Sequence, residues 1–309
     1  MRVLVTGGTG YLGRAIVRAL VAGGHEPVVF ARRATASGLT TRTIDGDVRD
    51  RAALAAAARG CDALCHSAAL VSIWRRDPGE FHAINVGGLE NALAAARDAR
   101  LSRIVYTSSF LARPPAGRDA PLEANSYQHT KTLANAVARA AGEAGSPIVI
   151  LYPGVVYGPG LMSEGNLLGR LLADHLAGRL PGLIGPEHIW SFTWVDDAAA
   201  AHVAALERAP AGATYEIGGE NAPQIRPFEI VRTLRGIKIP RRIPYWAAEG
   251  LGIVEETRAR LTGRMPLLTR GTVEIFRQDW PVDSARAARE LGLRVTPLIE
   301  GIPALLAAN

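Results

Sequence analysis

Residues 6–13, Thr6-Gly7-Gly8-Thr9-Gly10-Tyr11-Leu12-Gly13, decide the fold. They lie between Arg2–Thr6, an apolar run that reads as a fully buried strand, and Tyr11–Ala22, which reads as a helix. Glycines three residues apart at a strand-to-helix junction suit a loop that cradles a pyrophosphate. In that reading Gly7 takes the tight turn, Gly10 lets the pyrophosphate approach the backbone, and Gly13 permits close helix–strand packing. The helix N-terminus then turns its unpaired N–H groups towards the phosphates. A merely flexible turn is the competing reading, and the position directly after the first strand argues against it.

The same rhythm continues outward from the loop. Glu26–Ala31 reads as a second strand, Thr41–Ile44 as a short third, and Arg51–Ala58 as a helix. Asp62–Cys65, Arg103–Thr107 and Pro147–Leu151 are further β-rich runs, separated by helical patterns over Glu80–Ala99 and Ser126–Glu143. Continuously apolar strands alternating with helices predict an α/β fold, a doubly wound parallel (Rossmann) sheet covered on both faces. After Pro153 glycine and proline become frequent and the alternation breaks, before a last helix-and-strand pair at Asp196–Arg208 and Ala213–Ile217. We expect residues 1–155 to form a dinucleotide-binding domain, with 191–218 returning to it. Residues 156–190 and 219–309 are expected to build a smaller mixed α/β substrate lobe.

Composition narrows the function classes. Of 309 residues, 48% are hydrophobic and 21% charged, which excludes a disordered chain, a collagen-like fibre and a coiled coil. No run approaches the ~18 apolar residues that a bilayer-spanning helix needs. The opening Met1–Thr6 also runs straight into a strand without the regions of a signal peptide. A cytoplasmic protein with no membrane partner is therefore expected. Cys61 and Cys65 lack a second pair, so no metal site is expected. The net charge is +6, but no arginine run exceeds two, which argues against a nucleic-acid surface. Lys131 and Lys238 are the only lysines among 35 cations; a lysine here asks what arginine could not do in its place.

Lys131 closes the stretch Tyr127-Gln128-His129-Thr130-Lys131. Residues four apart share a helix face, so the phenol and the ammonium are neighbours. A nearby ammonium, with an oxidised nicotinamide, is expected to lower the phenol pKa by roughly 1–3 units and make Tyr127 a usable acid or base. Thr107-Ser108-Ser109 ends a strand at the side of the sheet where ligands lie, so Ser109 can hold a substrate oxygen. Downstream of the second strand, Phe30-Ala31-Arg32-Arg33 contains no acid; Arg32 in first place and Arg33 in second suit a 2′-phosphate, so NADP is preferred over NAD. Asp47-Val48 can bracket the adenine. His66 reads as a structural histidine among apolar neighbours, and His129 as a solvated one.

Together, TGGTGYLG, the GDVRD after the third strand, HSAA at 66–69, NVGG at 85–88, YTSS, YxxxK and LYPGVVYGPG resemble the extended short-chain dehydrogenase/reductases, most closely the dihydroflavonol-4-reductase-like branch. The 151–160 segment, the GNLLGRLLADHLAGRLPGLIG that follows and SFTWVDD are also similar to NAD-dependent farnesol dehydrogenases. The resemblance implies a catalytic triad of Ser109, Tyr127 and Lys131. It also implies a cofactor site made of Gly7, Gly10, Tyr11, Leu12, Gly13, Arg32, Asp47, Val48, Ala68, Ala69, Thr107, Pro153 and Val155, with Tyr127 and Lys131. It leaves open a homodimer through the helices over Glu80–Ala99 and Ser126–Glu143.

Departures within the branch choose among its chemistries. Trp190-Ser191-Phe192 stands where sugar-nucleotide epimerases carry an arginine that clamps the diphosphate, and Phe110-Leu111 stands where dehydratases carry an acid pair. Val71, Trp74, Phe110, Leu161, Leu167 and Trp190 are expected to line an apolar substrate pocket, although packing between the lobes explains each of them as well. The reading is an oxidoreductase moving a hydride between a nicotinamide cofactor, NADP or NAD, and the carbonyl or alcohol of a hydrophobic small molecule. The alternatives are a sugar-nucleotide epimerase with tightly bound NAD, and a dinucleotide-binding sensor without turnover.

Overall fold

The computed structural model describes residues 1–308. Six strands follow in chain order: β1 (Arg2–Thr6), β2 (Glu26–Ala31), β3 (Arg42–Asp45), β4 (Ala63–His66), β5 (Arg103–Thr107) and β6 (Ile148–Pro153). Four more complete the set: β7 (Val155–Tyr157), β8 (Ile189–Trp194), β9 (Thr214–Ile217) and β10 (Glu220–Pro223). The large sheet has the order β3-β2-β1-β4-β5-β6-β9, and every pair in it is parallel. The chain direction of strand addition reverses between β1 and β4, which opens a crevice beyond their carboxyl ends.

Helices cover both faces, as the apolar strands require. On one side α1 (Tyr11–Ala22) buries Ile16, Val17 and Leu20. On the other lie α2 (Arg51–Ala58), the single turn α3 (Gly79–His82), α4 (Gly88–Asp98) and α5 (Ser126–Glu143), which bury Leu54, Leu89 and Ala134. The helical pattern over 80–99 is not one regular helix: residues Ala83–Gly87 form a π-turn between α3 and α4. Such a turn is frequent at functional sites.

The small lobe begins with α6 (Leu167–Leu176). β10 pairs antiparallel and β7 parallel with β8 to make a three-stranded sheet. Residues 191–194 therefore belong to the small sheet, and the return to the large one starts at Val195: α7 (Val195–Arg208) joins the α1 side of the core and β9 closes the sheet edge. The rest of the chain supplies α8 (Arg226–Arg235), α9 (Tyr245–Thr262), α10 (Arg270–Phe276), α11 (Ala285–Leu291) and α12 (Leu298–Ala307). Tyr157, Trp190, Phe192, Phe228, Trp280 and Ile302 fill the small-lobe core.

Candidate active site

The glycine loop leaves no room for side chains. Gly7 has φ +74°, and a Cβ there would stand 2.6 Å from the backbone nitrogen of Ala68. A Cβ on Gly13 would collide with the Gly7 carbonyl, while the Gly10 N–H donates to that same carbonyl at 2.9 Å. Ser67 Oγ donates to the Thr6 carbonyl at 2.8 Å and binds the loop to the end of β4. No side chain caps α1, so its leading N–H groups keep their capacity for an anion. Arg14 steadies the loop by donating to the carbonyls of Thr9 and Ser37 at 3.2 and 2.8 Å. These residues fit a dinucleotide pyrophosphate, with Ala68 and Ala69 following β4 above Gly7.

At the adenosine end, Arg32 and Arg33 are exposed and make no hydrogen bond or ion pair among the described residues. Asp47 is not free: Arg49 holds it in a fork, Nε to Oδ1 at 3.0 Å and Nη2 to Oδ2 at 2.7 Å. The Arg49 hydrogen bonds, with a smaller contribution from Arg32, hold the Asp47 carboxyl below its usual range. Arg49 was missed from the sequence, although it stands two residues away. Val48 is buried against Gly88, and its carbonyl accepts from Asn91 Nδ2 at 3.0 Å.

The end of β5 and the start of α5 meet at the crevice. Asn125 caps α5, its Oδ1 accepting from the Gln128 N–H at 2.9 Å. The buried Gln128 side chain then donates to the Leu111 carbonyl at 3.1 Å and accepts from the Ala124 N–H at 3.2 Å. It thereby locks the helix start carrying Tyr127 to the turn that follows Ser109. Ser109 is buried, opens that 3-10 turn (Phe110–Ala112) and accepts from the Leu111 N–H at 3.2 Å. Lys131, also buried, donates from Nζ to the Thr107 carbonyl at 3.0 Å and lies 5.4 Å from the centre of the Tyr106 ring. Thr107 Oγ1 is held 2.9 Å from His202 Nε2. The other His202 nitrogen faces the Ala198 carbonyl at 2.7 Å and must donate to it, so Thr107 is the donor to Nε2.

Burial sets the two titrating groups. It brings the Lys131 ammonium down to about 8 and pushes the Tyr127 phenol up to about 12, with a hydrogen bond to Ser109 acting against that rise. The expected lowering of the phenol combined the ammonium with the charge of a bound oxidised nicotinamide. In the protein alone the loss of water outweighs any such help, and the ammonium is turned towards the Thr107 carbonyl. His66 is buried with Nδ1 2.8 Å from Thr6 Oγ1; burial and then the Lys131 charge hold it down to about 3. His129 is half-exposed and faces Glu123 at 3.3 Å, away from the crevice.

Asn85, inside the π-turn, is a second residue that sequence reasoning left without a role. Its Oδ1 accepts from the Leu70 N–H at 2.7 Å while its Nδ2 donates to Thr130 Oγ1 at 3.0 Å. It ties the loop leading to Val71 and Trp74 onto α5. Both of those side chains are partly buried, and Arg75 Nη1 beside them comes within 4.0 Å of Glu164. That contact sets their loop opposite the one bearing Leu161, which is exposed, and Leu167, which opens α6. Phe110 stacks edge-on to Trp280 at 5.5 Å and lies 6.3 Å from Trp190. Trp190 itself is only 3% exposed, 4.7 Å from Phe276, with Nε1 donating to the Gln278 carbonyl at 3.1 Å; it is a core residue behind Phe110. Tyr11 donates to the Gly158 carbonyl at 3.0 Å and ties α1 to the segment after β7, while Leu12 packs on the core. Pro153 and Val155 are buried where β6 gives way to β7, with the Gly154 N–H bonded to the Ile217 carbonyl at 3.1 Å.

Known proteins are similar to this chain in sequence and in fold. Residues 3–218 match the NAD dependent epimerase/dehydratase family. The 4-hydroxy-2-methyl-3-oxo-4-farnesyl-3,4-dihydroquinoline-1-oxide ketoreductase of Stigmatella aurantiaca is 34% identical, over 100% of this chain and 97% of its own. A putative dihydroflavonol 4-reductase of Synechocystis is 30% identical, over 94% of this chain and 89% of its own. Among solved structures, gox2253 superposes with a TM-score of 0.81 at 29% identity, covering 99% of this chain and 97% of that one. The chain is an enzyme of the NAD-dependent epimerase/dehydratase family, the extended short-chain dehydrogenase/reductases.

Proposed function

We propose that the protein reduces the ketone or aldehyde of a hydrophobic small molecule, with NADP(H) preferred over NAD(H). The observation that carries this reading is the meeting of buried Ser109 and Lys131 with the partly buried Tyr127 at the end of β5 and the start of α5, with Phe110 rather than an acid next to Ser109. A phenol held at about 12 is fully protonated at neutral pH, which suits it to give a proton rather than to take one. Ser109 and Tyr127 grip the carbonyl oxygen, and the proton leaves Tyr127 Oη as that oxygen gains charge. Lys131 spends one of its three N–H donors on Thr107 and keeps two for ribose hydroxyls and for charge on the phenolate. Gly7, Gly10, Gly13 and Lys131 would hold the nicotinamide dinucleotide, which in its reduced form would supply the hydride. The named ketoreductase and dihydroflavonol reductase relatives support a carbonyl substrate, and the exposed, unpartnered Arg32 supports a 2′-phosphate.

A panel of terpenoid, flavonoid and steroid ketones and aldehydes with NADPH or NADH tests this. Expected is alcohol formation for at least one apolar class, at least ~10-fold more efficient with NADPH, a difference of about 1.4 kcal/mol. Epimer formation from a UDP-sugar without added cofactor, and no carbonyl reduction, would sink it.

A further inference from the structure

α9 carries its large apolar residues on the outside. The positions it buries are Ala248, Gly252, Glu255 and Ala259, three small residues and an acid. Trp246 is 78% exposed, Val254 62% and Leu261 82%, and Leu267 in the next loop is 80% exposed. A surface helix that met only water would show the opposite arrangement, and clustered exposed apolar groups of this size mark a contact surface.

The formal positive excess of the protein falls in the stretch of sequence that contains α9. Residues 231–270 contain nine Arg or Lys and three Glu, so this segment carries +6, the whole formal excess of the chain. All three acids are already paired: Glu249 with Arg277, Glu255 with Arg258 and Glu256 with Arg270. Arg232, Arg235, Lys238, Arg241, Arg260 and Arg264 are exposed and have no side-chain hydrogen bond or ion pair among the described residues. Gly263, at the end of α9, lies against the Arg76 side chain, and Gly271 of α10 is pressed on Ala124, one residue before the cap of α5. The face therefore adjoins the loops that border the candidate crevice.

We infer that this face docks on an anionic lipid surface. Trp246, Val254, Leu261 and Leu267 enter the boundary between headgroups and acyl chains, while the unpaired cations meet lipid phosphates. A second copy fits less well, because a twofold contact would set this cationic surface against itself. No helix among the described residues is long and apolar enough to cross a membrane, so the contact is peripheral. Our expectation of no membrane partner rested on the lack of a spanning run, which does not bear on a surface contact.

Sedimentation of the full chain with phosphatidylglycerol or phosphatidylcholine vesicles tests the inference. The protein is expected to sediment with the anionic vesicles, at least ~10-fold less with the zwitterionic ones, and less as salt rises. A variant with Trp246→Ser, Val254→Ser and Leu261→Ser, all outside the proposed catalytic cluster, is expected to lose ~10-fold or more of that partitioning. It should keep its melting temperature and its rate on a water-soluble carbonyl. The inference is overturned if the wild type stays in the supernatant with phosphatidylglycerol, or if the variant sediments as well as the wild type. A dimer that shuns vesicles and dissociates on the triple substitution would overturn it too.

Discussion

The two walls of the crevice are held by different forces. On the nucleotide wall backbone meets backbone: Gly7 against Ala68, Gly13 against Gly7. On the small-lobe wall side chain meets side chain: Phe110 packs edge-on to Trp280 at 5.5 Å and lies 6.3 Å from Trp190 in the core behind it. Backbone contacts admit no extra atom, so the first wall is committed to one ligand shape. Side-chain stacks can be refilled with other volumes. The second wall is thus the place where a substrate preference can change while the cofactor site stays as it is.

Three substitutions put this contrast at risk, and the largest effect belongs to the backbone wall. Gly13→Ala forces a methyl group into the Gly7 carbonyl; we expect a loss of about 3 kcal/mol of stability and of most dinucleotide affinity, measured by thermal melting and cofactor titration. Wild-type affinity in this variant would break the contrast. Lys131→Met should come next, with activity down on the order of 100-fold and stability moving the other way. Burial holds Lys131 at about 8 against an ordinary 10.5, so between those values the unfolded chain binds more protons and stability rises with pH. The penalty is full below pH 8 and gone by about 10.5. The variant should therefore be more stable than wild type at pH 7, by about 1–2 kcal/mol after loss of the Thr107 hydrogen bond, and this gain should vanish at high pH. Denaturant melts across that range read it out. The smallest effect is expected from Phe110→Ala on the side-chain wall: KM for an apolar carbonyl up ~10-fold, with NADPH affinity unchanged. A change in both constants would mean that the walls are not independent.

The same contrast explains what could be read in advance. The glycine loop and the Tyr127–Lys131 pair are local, set by spacing along one strand-to-helix junction and one helix. The residues that hold them in place act over distance. Asn85 reaches Leu70 and Thr130, and Gln128 reaches Leu111; these bonds follow from how the loops fold back, not from any repeat in the chain. Trp190 looked like pocket lining because apolar patterning does not distinguish a wall from the core behind it. The phenol shows the same divide: one neighbouring charge is visible in sequence, while the burial that raises the phenol in the protein alone is not.

The account depends on a proton passing from Tyr127 to the substrate. The most direct measurement is the rate of carbonyl reduction by Tyr127→Phe at saturating NADPH, with cofactor affinity titrated separately. A fall of ~10²–10⁴ in kcat at unchanged NADPH affinity is predicted. A variant that reduces its substrate at the wild-type rate would contradict it.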